Sequence, residues 1–159
     1  MIVREGKSVF KGVAIGNIFV YKKAEKAVTK ETISDTAAEL TRFEAAKEKA
    51  MGQLKMLYEK AKRDVGEEEA MIFDVHQMLL DDLDYNESIT GIIENDKMNA
   101  EYAVFMTGEQ MAAMFLAMED EYMRGRAADI HDISDRLISI LNGTQVSPEA
   151  MPEPVIIVA

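Results

Sequence analysis

The stretch DTAAELTRFEAAKEKAMGQLKMLYEKAKRDV, residues 35–65, contains no proline and a single glycine. Within it Leu40, Phe43, Lys47, Ala50, Leu54, Leu57 and Ala61 follow a 3,4 spacing, a heptad stripe broken only by Lys47. The spacing predicts one long helix of about 45 Å at a rise of about 1.5 Å per residue. Thr36-Ala-Ala-Glu39 has the form of a capping box at its start, and Gly66 is placed to end it. A lone amphipathic helix of that length does not persist in water, so it needs antiparallel partners.

Those partners follow in the chain. Glu67 to Leu80 reads as a second helix with three glutamates in its first turn, favourable beside the positive end of the helix dipole. Asp84 to Asn95 reads as its shorter continuation. Asn99 is expected to cap a third helix from Ala100 to about Met118, with Ala103, Met106, Met111, Met114, Phe115 and Met118 on its apolar side. A fourth helix is expected from about Tyr122 to Asn142, showing Ile130, Ile133, Leu137, Ile140 and Leu141, with Gly143 as its stop. Of the twelve methionines, Met51, Met56 and Met106 are expected in the core.

The ends have a different texture. Val13 to Tyr21 is β-branched and aromatic, and Val155-Ile-Ile-Val158 is a short apolar run of the kind buried in a sheet. Pro148, Pro152 and Pro154 mark a linker before the second. The expected fold is mainly α: an antiparallel four-helix bundle or double helical hairpin, inserted between strands of an α/β domain that is incomplete here. The expected division is 1–33 for the first strand segment and linker, 34–143 for the helical domain, and 144–159 for the second linker and returning strand. A buried-type strand at the last residues leads us to expect the chain to be the front portion of a longer protein.

Charge is distributed unevenly. Residues 66–136 hold 18 acids against 4 bases, whereas residues 1–65 hold 9 acids against 14 bases. Between Glu67 and Glu87 there are eight acids and no lysine or arginine, interleaved with Ile72, Phe73, Met78, Leu79, Leu80 and Leu83. An acidic surface around an apolar stripe suits a basic protein partner, and a net charge of −11 argues against nucleic acid or an anionic membrane. The N-terminus has no apolar run of signal-peptide length, no segment has the length of a membrane span, and a cytoplasmic location is expected.

A catalytic centre is not legible. The chain has no cysteine, and no P-loop, dinucleotide fingerprint or nucleophile elbow. His76 and His131 lie far apart without a ligand pattern, so no catalytic residue and no metal site are expected. His131, with Asp129, Asp132 and Asp135 about it, is expected on a solvated helix face.

Gly66-Glu-Glu, Ile72-Phe73, His76, Met78-Leu-Leu80 and Asp82, then Asp120-Glu-Tyr122, Arg126-Ala-Ala-Asp129 and Asp132-Ile133 with Arg136, form an ordered set. In it the chain resembles the N-terminal region of Enzyme I of the sugar phosphotransferase system, the phosphoenolpyruvate-protein phosphotransferase family. The resemblance runs from the Gly12-Val-Ala-Ile-Gly16 segment to the closing Val-Ile-Ile-Val-Ala. It implies that the helical insertion docks the phosphocarrier HPr, whose active histidine is flanked by arginine and lysine. It also implies that in the full-length protein phosphoenolpyruvate with Mg²⁺ phosphorylates a histidine in a Gly-Gly-x-Thr-Ser-His context. Neither His76 nor His131 has those neighbours, so this chain is expected to bind HPr, to need no cofactor and to transfer no phosphate by itself. A homodimer is implied only for the full-length protein.

Carried over position by position, the resemblance places Glu67, Glu68, His76, Met78, Leu79, Asp82, Asp84 and Tyr85 on the HPr surface, with Met111, Phe115, Tyr122, Met123 and Arg126 from later helices. His76 can alternatively be a buried structural histidine. Gln110, Met111, Tyr85 and the Phe10-Lys11 pair depart from the family pattern, which bears on fine fit. Rival readings are a free-standing helical adaptor for HPr-like carriers and a structural bundle whose acidity serves solubility.

Overall fold

Asp35 opens the long helix, one residue earlier than the capping box predicts. In the structure, a computed structural model that describes residues 15–20, 28–144 and 155–158, the Asp35 carboxylate accepts from the Ala38 amide at 3.0 Å and α1 runs Thr36–Asp64. Glu39 does not fold back on the cap. Its carboxylate accepts from the Ala100 amide at 2.7 Å and so satisfies the start of a different helix. The expected features at Gly12, Phe10-Lys11 and the three linker prolines lie outside the described residues.

Gly66 adopts φ 141°, a conformation open to glycine, and serves both neighbours: its amide closes on Ala61 O at the end of α1, and it stands at the N-cap of α2, Glu67–Leu80. The segment after α2 is not a continuation but a separate helix, α3, Leu83–Asn95. Asp82 breaks the run at extended ψ 134° and accepts from the Tyr85 amide, while the Asn86 side-chain amide donates to the carbonyls of Leu80 and Asp82. The joint satisfies the end of one helix and the start of the next.

Helices α4, Ala100–Leu116, and α5, Glu121–Leu141, form a hairpin, with α5 capped by Asp120 accepting from the Met123 amide at 3.0 Å. Asn99 occupies the N-cap position of α4 but makes no side-chain cap bond. Its amide group is instead committed to Glu31 N and Thr29 O, and a bridge between Thr32 and Met98 completes the seam holding the entry segment to the α3–α4 corner. Arg42 joins this end: its guanidinium bonds Glu101 and Glu39 and donates to Leu141 O at 3.0 Å. Burial pushes the Glu101 carboxyl up, but hydrogen bonds from Arg42 and Asn99 outweigh it and hold the group below its ordinary value.

The five helices lie in one compact unit, Ala27–Gln145, around a core of Phe43, Ala50, Leu54, Leu80, Tyr85, Ile89, Ile93, Val104, Ile130, Ile133 and Leu137. The stripe read on α1 faces inward, with Leu40, Leu57 and Ala61 half-buried. Phe43, Ala50 and Leu54 are buried, joined by Ala46, whereas Lys47 is half-buried and pairs with Asp81 at 3.2 Å. Met51 packs against the core, but Met56 is 68% exposed and is not core. On α4, Met114 is exposed too, because the buried face follows Ala100, Ala103, Val104, Thr107, Gly108 and Ala112.

The second unit comprises residues 1–26 and 146–159. Its described part is a parallel pair, β1 (Asn17–Val20) with β2 (Val155–Val158), in which Ile18 stands opposite Ile156. Parallel pairing of strands so far apart in sequence requires a long crossover, which here contains the helical unit.

Candidate docking surface

Helix α2 divides its residues cleanly. Ala70, His76 and Leu80 face the core, with Phe73 packed beside them, while Glu67, Glu68, Met71, Ile72 and Met78 are exposed and Leu79 is half-buried at the boundary. Met78 is 69% exposed, and Met71, seven residues before it, shares its side of the helix, while Ile72, seven residues before Leu79, shares that residue's side. Neither Met71 nor Ile72 is among the site residues read from the sequence; their seven-residue spacing from Met78 and Leu79 is the signal that finds them.

The first turn of α5 supplies the facing part. Tyr122 is 67% exposed, the Arg126 guanidinium lies 4.4 Å from its ring centroid and donates to its hydroxyl, and Met123 is half-buried. Asp129, one turn on, accepts from Arg126 Nη1 at 2.8 Å, and its other oxygen lies 3.3 Å from His76 Nε2 on α2. The hydrogen bond that Arg126 donates to Asp129 raises the guanidinium above its ordinary value, against an opposing effect of burial. This chain of polar contacts ties α2 to α5, and Asp129 is a functional candidate absent from the site expected from the sequence.

At the other side of the α4–α5 hairpin, Met111 and Phe115 are half-buried and packed against the core, close in sequence to the turn that leads to Tyr122. Glu119, Asp120 and Glu121 in that turn are exposed, as are Glu67, Glu68 and Asp84. Glu67 pairs with Lys62 at 2.6 Å, which lowers its carboxyl from the ordinary value. Exposed and half-buried methionine and aromatic side chains thus occur on α2, α4 and α5, together with exposed acids on the same elements.

Two expected site residues sit elsewhere than on the surface. Tyr85 is 0% exposed: its ring packs in the core, and its hydroxyl meets Ser134 Oγ at 2.8 Å. It therefore leaves the docking set, since α3 begins at Leu83 and the turn that exposes Leu83 and Asp84 points Tyr85 inward with Ile89 and Ile93. His76 is 7% exposed, which favours the buried reading of that residue. Asp82 is half-buried as the cap of α3. His131 lies on the exposed side of α5, 3.4 Å from Glu109.

Among the described residues no group of three His, Cys, Asp or Glu side chains is placed to hold a metal ion, and no helix is long and apolar enough to cross a membrane. The family model for the N-terminal part of PEP-utilising enzymes matches residues 5–126. The chain belongs to that family. It is 37% identical over 156 residues to a phosphoenolpyruvate-protein phosphotransferase of Listeria monocytogenes, covering 98% of this chain and 27% of the relative. A protein of the same name from Priestia megaterium is 35% identical with the same coverage. The chain thus spans about a quarter of the length of these relatives. A solution structure of Enzyme I superposes with a TM-score of 0.79 at 30% identity, over 89% of this chain and 58% of that one. The N-terminal domain of a nitrogen Enzyme I superposes at 0.75 and 28%, over 93% and 61%. The mainly helical fold expected from the sequence is therefore that of an Enzyme I N-terminal domain.

Proposed function

We propose that the helical domain, residues 34–143 between the two strand segments, is the docking site for the phosphocarrier HPr in a phosphoenolpyruvate-dependent phosphoryl relay that drives sugar uptake in the cytoplasm. The observation that supports this reading is the exposure of apolar side chains, Met71, Ile72 and Met78 on α2 and Tyr122 on α5, among exposed acids in a member of the PEP-utilising enzyme family. A carrier with arginine and lysine around its active histidine complements that face in charge, and the methionines adapt to its apolar contacts.

Neither histidine of the chain is suited to accept the phosphoryl group. The His76 ring is buried with Nε2 on Asp129, and His131 stands beside Glu109, whose negative charge repels a phosphoryl donor. Docking, not transfer, is the role we assign to these residues; phosphoenolpyruvate and Mg²⁺ belong to the reaction of the whole protein.

The test is an NMR titration of the 159-residue chain with HPr. Perturbed amides are expected to cluster at residues 67–84, 111–118 and 120–127. A uniform absence of shifts at low ionic strength, or shifts confined to α1, would overturn the assignment.

A further inference from the structure

His76 has almost no surface, yet three successive contacts join it to the exposed ring of Tyr122. Its Nε2 lies 3.3 Å from Asp129 Oδ1, and Asp129 Oδ2 accepts from Arg126 Nη1 at 2.8 Å. Arg126 in turn lies 4.4 Å from the centroid of the Tyr122 ring. Each carboxylate oxygen of Asp129 has one partner from a different helix position, one from inside and one from the surface. The torsion that turns a carboxylate about its last bond is soft, so two committed oxygens are what give it one orientation. Remove the inner partner and Asp129 can swing, carrying the guanidinium off the ring. A long arginine side chain otherwise has many rotamers to lose on binding, and holding it in advance removes part of that cost.

We infer that His76 is a positioning residue for partner docking: it does not touch the carrier, but through Asp129 it fixes Arg126 beside Tyr122 and so preorganises the portion of the face contributed by α5. The inference rests on the HPr-docking reading for its consequence, while the relay itself is a property of the free protein.

The experiment compares the wild-type chain with His76→Leu, which removes the N–H, and His76→Gln, which keeps a donor of similar reach, each also combined with Arg126→Ala. In the free protein, the Arg126 Nε–Hε signal and the Tyr122 ring signals are expected to move and broaden in H76L and to stay near wild type in H76Q. Dissociation constants for purified HPr are expected to rise about five- to tenfold in H76L, the size of coupling usual within one hydrogen-bonded network, and to change by less than about twofold in H76Q. On the R126A background H76L should add little further loss. If H76L does not fold, Asp129→Asn breaks the same link and is expected to show the same non-additivity with R126A. An unmoved Arg126 signal in H76L, or equal losses from H76L with and without Arg126, would overturn the positioning role. Failure of the wild-type chain to bind HPr would overturn the docking reading instead, and the Arg126 signal in the free protein would still decide the relay.

Discussion

The Tyr85 side chain is fully buried, and the partner of its hydroxyl, Ser134 Oγ, is itself buried. Burial pushes the phenol well above its ordinary value of 10.0, against a smaller opposing effect of the Ser134 bond. Because the folded protein keeps this proton to higher pH than the unfolded chain does, the stability it supports is complete below pH 10 and falls as pH rises beyond it. Thermal melts between pH 9 and 11.5 should therefore fall more steeply for wild type than for Tyr85→Phe. At neutral pH, Tyr85→Phe should cost about 1–2 kcal/mol by leaving Ser134 without its partner, and the added change Ser134→Ala should recover part of that loss. The family resemblance places Tyr85 on the docking surface, and nothing local in the sequence contradicts it. Only the break at Asp82 sets the phase of α3 and turns it inward with Ile89 and Ile93. The exposed Met78 and the solvated His131 needed no such phase and were legible; Met56, expected in the core although it lies off the 3,4 stripe of its own helix, is exposed.

At the scale of elements, the α4–α5 contact is set by what is missing at Gly108. A Cβ built there would lie 2.5 Å from Ser134 Oγ and 3.0 Å from Ser134 Cβ, so the helices approach as closely as the absence of a side chain allows. Gly108→Ala is better for an isolated helix by about 1 kcal/mol, yet it should destabilise this protein by about 1–3 kcal/mol, since neither helix can shift without disturbing the Tyr85–Ser134 bond. Urea unfolding is the measurement. If G108A alone were stabilising, the packing described would be wrong. Helix lengths were legible because proline and glycine punctuate this chain sparsely, and Gly66 and Gly143, both at positive φ, fall where helices end or begin. Cross-helix caps were not: Glu39 serving Ala100, or Asn99 serving the entry segment, depends on residues 61 and 68 positions away, which no local pattern encodes.

For the molecule as a whole, the separation of charge matters more than any one ion pair. The 18 acids against 4 bases in residues 66–136 act together over distances that a single exposed pair such as Glu67–Lys62 does not reach. Steering and holding should therefore separate kinetically. Met78, exposed and free of the core, is the cleaner probe of holding than Leu79 or Phe115, both of which pack against the core and would also lower stability when truncated. Met78→Ala should raise the dissociation rate of HPr about fivefold with an unchanged association rate, as expected for an apolar anchor. Reversing Glu67 and Glu68 to lysine should do the opposite, lowering the low-salt association rate about tenfold with little change in dissociation. The slope of that rate against ionic strength should flatten as well, because near 0.15 M salt the screening length is only about 8 Å and the wild-type advantage is already largely lost. Stopped-flow association from low to physiological salt measures both. An association rate indifferent to the double reversal at low salt would mean that the acids serve solubility and do not guide the encounter.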